Sequence, residues 1–127
     1  MNKEYMHAYL DGIMNMASSL SKNMGPSYIL VDCYNKEEFD KYFKIKYTST
    51  TLSFEEKLKE WFMNDQKTID SILHWTHRYI KEIKKIYTIS EKELEKLEKT
   101  TLFYTVEDMF ILETKDYMIT YILGNNE

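Results

Sequence analysis

Cysteine, proline, glycine and arginine are almost absent from this 127-residue chain, which holds one Cys, one Pro, three Gly and a single arginine, Arg78. One thiol cannot close an internal bridge. A chain of this length buries about two-thirds of the surface its unfolded form exposes, so folding needs neither disulfide nor metal. Cys33 follows Asp32, whose carboxylate disfavours the thiolate, and reads as a structural thiol suited to a reducing compartment. Gly12, Gly25 and Gly124 lie too far apart for a phosphate-cradling loop, and neither a G-x-S-x-G elbow nor a cysteine pair occurs. The reading is therefore non-enzymatic, with no cofactor and no metal assigned.

Long hydrophobic runs are lacking as well. The uncharged stretch Tyr117–Asn126 is half the roughly 20 residues that a membrane helix requires. Lys3, Glu4, His7 and Asp11 interrupt any secretory core near the start. The expectation is a cytoplasmic protein without membrane contact. A basic excess is missing too, because the formal net charge is −4 and it is unevenly placed. Residues 1–52 carry six basic and six acidic side chains, residues 53–100 ten of each, and residues 101–127 set Lys115 against Glu107, Asp108, Glu113, Asp116 and Glu127. Nucleic acid finds no basic footprint here, and the acidic end repels phosphate. Sixteen basic residues are Lys and Ala occurs only twice, a pattern of AT-rich codons that points to a low-GC bacterium or its phage or plasmid.

What is abundant is apolar mass: 43% of residues are hydrophobic and 15% aromatic, enough to offset ordering entropy in one α+β domain spanning residues 1–127. Met6, Tyr9, Leu10, Ile13, Ala17, Leu20 and Met24 recur at steps of three and four and predict a helix over Tyr5–Met24, stopped by Gly25 and Pro26. Met16 is read with the apolar face and Met14 at its flank. Ser27–Tyr34 reads as a buried strand, Asn35 with Glu38 as the cap of a short helix to Phe43, and Lys44–Thr51 as an edge strand or loop. The strongest periodicity runs over Ser53–Tyr87, capped by Ser53 and Glu56, and predicts one dominant long helix or two in line with a break at Asn64–Asp65. Ser90 and Glu93 repeat the capping pattern ahead of a solvated connector helix anchored by Leu94 and Leu97. Thr101–Val106, Met109–Thr114 and Tyr117–Leu123 predict a three-stranded antiparallel meander packed on the helices, turning at Glu107–Asp108 and Lys115–Asp116.

Both faces of the last run are apolar, with Tyr117, Ile119, Tyr121 and Leu123 on one side and Met118 and Ile122 on the other. Such a strand demands cover from helices, from a protein partner or from a second copy. The acidic residues Glu107, Asp108, Glu113 and Asp116 would steer a basic partner surface towards it, with Tyr117 and Tyr121 in contact. Trp75 and Tyr79 widen the apolar arc of the long helix and offer a second contact surface. These features point to a small protein-binding module of inhibitor or adaptor type, associated in low-GC sources with phage anti-defence proteins such as anti-CRISPRs and with toxin antidotes. Two rival readings use the same helix. Trp75, Tyr79, Arg78 and Lys81 could hold a nucleotide or single-stranded nucleic acid, and Asp70, His74 and His77 share one arc that could supply part of a metal-dependent hydrolase. Arg78, Lys81 and Lys85 lie on that arc and disfavour a cation, so the three are first an ordinary solvated face.

Overall fold

The computed structural model describes residues 2–20, 27–99 and 105–125. In chain order the elements are α1 (Lys3–Leu20), β1 (Tyr28–Asn35), α2 (Lys36–Tyr42), β2 (Thr48–Thr50), α3 (Phe54–Trp61), α4 (Gln66–His77), β3 (Lys85–Thr88), α5 (Glu91–Glu98), β4 (Thr105–Glu113) and β5 (Tyr117–Asn125). The expected stop at Gly25–Pro26 and the first residues of the expected meander, 101–104, lie outside the described residues.

The α+β class holds. The strands form one antiparallel sheet in the order β1-β5-β4-β3-β2, so the last strand of the chain sits between the first and the fourth. Alternation along β5 sends Ile119 and Tyr121 to one face and Met118 and Ile122 to the other, and the chain covers both faces itself. On one side Met6, Leu10 and Met14 of α1, Phe54, Leu58 and Trp61 of α3, and Ile69 and Ile72 of α4 close over Val31, Phe110 and Tyr121. On the other, Phe39 of α2 and Leu94 and Leu97 of α5 close over Val106, Met109 and Ile111.

Two expectations about the elements are corrected. The C-terminal meander has two strands among the described residues, because Glu107–Asp108 makes no turn. With no glycine to supply a tight hairpin, the strand runs through and absorbs one extra residue as a bulge: Val106 pairs with Gly124 and Asp108 with Leu123. The bulge shifts the phase of β4, which is why Val106 and Met109 share one face although they stand three positions apart. The long helix also does not form. Its first half ends at Trp61, Met63 and Asn64 take left-handed φ values of 51° and 61°, and Asp65 caps α4 by accepting from Thr68 N at 3.4 Å and from Thr68 Oγ1 at 2.9 Å. Its second half ends at His77, and Lys85–Thr88 pairs with β4 as a strand. Ile83, Ile86 and Ile89 keep a three-residue step, yet this β-branched segment is also strand-compatible, and sheet pairing decides the matter.

The local caps divide in the same way. Ser53 and Glu56 make both bonds of a capping box, at 3.1 Å each. Asn35 and Ser90 make no side-chain cap bond. Glu38 instead pairs with Lys3 at 3.2 Å, and Glu93, buried, accepts from Lys96 Nζ at 2.9 Å and from Lys46 N at 3.4 Å. So α5 is not a solvated connector but a lid on the second face of the sheet.

Candidate functional site

The acidic residues of the C-terminal hairpin are largely engaged within the fold. Asp108, re-aimed by the bulge, accepts from Trp61 Nε1 at 2.7 Å and from Lys57 Nζ at 3.0 Å. Burial alone would lower the Lys57 ammonium, but hydrogen bonds to Glu60 and Asp108 outweigh it and hold the group above its usual range. Glu113 accepts from Tyr87 Oη at 2.6 Å and from Lys36 Nζ at 3.2 Å; the Tyr87 bond, then Lys36, holds its carboxyl below the usual range against burial. Glu107 is exposed on the bulge and accepts from Ser27 Oγ and Asn125 Nδ2, while Asp116 is exposed in the β4–β5 turn. Tyr117 is half-buried. Tyr121 is 0% exposed and stacked on Phe110 with ring centroids 4.8 Å apart, which removes it from any contact surface. Placing it in a partner-facing sheet overlooked the helices that cover that face.

The arc on α4 stays at the surface. Gln66 Nε2 donates to Asp70 at 2.7 Å, His74 lies edge-on to Trp75, and His77 Nδ1 lies 3.0 Å from the carbonyl oxygen of Ile80. Among the described residues no three His, Cys, Asp or Glu side chains gather into a metal-binding group. Cys33 is buried, and burial pushes its thiol up to about 12, far from the range of a nucleophile. Trp75 and Tyr79 remain partly exposed, with the Arg78 guanidinium 5.5 Å from the Trp75 ring and Tyr79 edge-on to Tyr9 at 4.5 Å.

Among the described residues, one concave feature lies between α1 and α4. Tyr9 reaches across to α4 and donates its hydroxyl to the carbonyl oxygen of Trp75 at 2.7 Å, tying the helices together near one end. Beyond this tie they leave a groove of about 870 Å³ whose walls include Gly12, Ile13, Met16, Ser71, Ile72 and Trp75. Met16, 67% exposed, and Trp75, 46% exposed, stand at it. The expected positions of two methionines are thus exchanged, with Met14 fully buried and Met16 on the outer side. Gly12, inside α1, lies on the wall of this groove. A glycine inside a helix costs about 0.5–1 kcal/mol relative to alanine, and a Cβ at Gly12 would meet nothing within 4 Å, so the fold itself does not require the glycine. A second cavity, of about 560 Å³, lies beside Phe54 and His77 and is edged by Ser53, Lys84 and Lys85.

The outward strip of α1 carried a readable signal. Tyr5, Ala8, Gly12, Asn15, Met16 and Ser19 are all exposed and uncharged, in a chain with 30% charged residues. Solvated helix faces are ordinarily charged, so the low charge of this run sets it apart from the exposed faces of the other helices. No helix of the described residues is long and apolar enough to cross a membrane. No family model, curated protein or solved structure matches the chain.

Proposed function

We infer that the protein is a small non-enzymatic protein-binding module of inhibitor or adaptor type, the class that includes phage anti-defence proteins and toxin antidotes. The docking surface in this reading is the α1–α4 groove with Trp75 and Tyr79 beside it, rather than the terminal sheet. The observation that carries it is the groove itself: an apolar trough at which Met16 and Trp75 are exposed, in a molecule whose sheet faces are already covered. Large aromatic and methionine side chains exposed at a concave site are the composition of interaction hot spots. A wall of two helices offers no unpaired backbone edge, so a partner segment docking there must satisfy its own backbone, as an amphipathic helix does. Glu107 and Asp116, the exposed carboxylates of the hairpin, steer a basic partner without anchoring it.

The test is co-purification from lysate of the source cells with the wild-type chain and with Trp75→Ala. Trp75 is half-exposed, so its truncation leaves the fold intact. A protein retained by the wild type should be reduced at least about tenfold by the variant, the scale of one lost hot spot. Retention unaffected by Trp75→Ala removes the groove as the docking surface.

A further inference from the structure

The α1–α4 groove has the dimensions of a small-molecule site. Its volume of about 870 Å³ lies in the range of roughly 300–1,000 Å³ that encloses most of a drug-sized molecule. Ile13, Met16 and Ala17 of α1 and Ile72 and Trp75 of α4 make it apolar, and one end is closed by the Tyr9 hydroxyl on the Trp75 carbonyl oxygen. That carbonyl lies in the last turn of α4. Tyr79 N, the donor a continuing helix would give it, turns instead to the Thr76 carbonyl oxygen at 3.3 Å, so Tyr9 supplies a bond that the helix end needs. The closed end is therefore built by the fold itself. The eight steps from Lys67 to Trp75 span about 12 Å of helix. The volume over that length corresponds to a trough roughly 9 Å across, too narrow to take in a whole helix of about 10–12 Å and broader than the ~5 Å that one extended chain occupies. A body of two or more rings fits that width.

Charge selects the ligand further. Asp65 and Lys67 both line the groove, but they are not equally available. Asp65 commits its carboxylate to its own helix, accepting from Thr68 N at 3.4 Å and from Thr68 Oγ1 at 2.9 Å. Lys67 makes no ion pair among the described residues, and Asp70, less than a turn away, is taken by Gln66 at 2.7 Å. At the closed end the Arg78 guanidinium rests 5.5 Å from the Trp75 ring, also without an ion pair among the described residues. In a chain of net charge −4, the two unpaired charges at the ends of this trough are both positive. Trp75 adds a half-exposed ring and Met16 an exposed thioether, and both favour contact with flat aromatic systems. We propose that the groove binds a small organic anion with a multi-ring apolar body, its rings between Met16 and Trp75 and its anionic group at Lys67. The site goes beyond the protein-docking reading and shares only its groove.

The experiment is a fluorescence titration with two dyes, with the fold of each variant checked by circular dichroism. Anilinonaphthalene sulfonate carries the anion, and phenyl-naphthylamine has the same rings without it. The wild type should bind the sulfonate at one saturable site, about tenfold or more tighter than the neutral dye at low salt. Lys67→Gln, at an exposed position, should remove most of that difference and leave the neutral dye unchanged. Gly12→Phe combined with Ser71→Phe fills the trough from both walls; both positions are exposed, and a Cβ at Gly12 meets nothing within 4 Å, so no packing is lost. This variant should weaken both dyes by about tenfold or more. Equal affinity of the wild type for the two dyes, a difference that survives Lys67→Gln, or sulfonate binding that survives the filled groove overturns the proposal. Dye binding as described, with no protein released by Trp75→Ala, leaves the anion site standing and removes protein docking. A protein released by Trp75→Ala from a chain that binds neither dye does the reverse.

Discussion

Lys57 is 4% exposed and charged, which is tolerable only because its ammonium reaches Asp108 at 3.0 Å and Glu60 at 2.9 Å. The two carboxylates are not equivalent. Asp108 also accepts the Trp61 Nε1–H at 2.7 Å, whereas the Glu60 side chain is half-exposed. Asp108→Ala should therefore leave the Trp61 Nε1–H without an acceptor and the buried Lys57 ammonium with only the half-exposed Glu60, and lower stability by about 2–4 kcal/mol, against about 1 kcal/mol or less for Glu60→Ala. Urea midpoints of the two variants measure the difference, and equal losses would remove Asp108 from the centre of the cluster. Glu113 makes a pH prediction. Its folded pKa is lowered, chiefly by the Tyr87 hydroxyl and then by Lys36. It therefore contributes in full above its unfolded value, about pH 4.3, and its contribution is lost as pH falls through the lower folded value. Tyr87→Phe deletes the largest cause, so stability should fall less steeply with acid below about pH 4; an unchanged slope would show that the bond carries no linkage.

Among the elements, the junction of α3 and α4 shows what a local signal can and cannot specify. Asn64 and Asp65 are both good helix-capping residues, and a break between them is legible from residue type alone. Its geometry brings Met63, with no special tolerance for it, to φ 51°. A left-handed conformation costs a non-glycine residue about 1–2 kcal/mol, while glycine costs about 0.5–1 kcal/mol in chain entropy. Met63 is exposed and loses little packing, so Met63→Gly should raise stability by up to about 1 kcal/mol. A lower thermal midpoint would mean that the side chain packs more than its exposure indicates. The capping patterns read at Asn35–Glu38, Ser53–Glu56 and Ser90–Glu93 met different fates for a similar reason. Ser53–Glu56 closes within one turn, whereas Glu38 and Glu93 are drawn to Lys3, Lys46 and Lys96.

For the whole molecule, the question raised by an apolar strand was what covers it. The fold answers with its own helices, α1, α3 and α4 on one face of the sheet and α2 and α5 on the other. That answer moves the candidate contact surface from the hairpin to the α1–α4 face. Charge followed the same path, since Asp108 and Glu113, half of the four residues expected to steer a partner, serve internal ion pairs.

The sequence by itself determined the class, the α1 core stripe of Met6 and Leu10, the β1 and β5 segments, the Ser53 cap and the break before Asp65. Each follows from periodicity or hydrogen bonding within a few residues. Only the tertiary structure decided that Lys85–Thr88 is a strand, that Glu107 is a bulge and not a turn, that β5 lies between β1 and β4, and which side of α1 is left open. Those outcomes depend on pairing between residues far apart in the chain, from Val106 with Gly124 to Tyr28 with Gly124. Local propensity is nearly neutral at such places, and the burial of a shared core settles them.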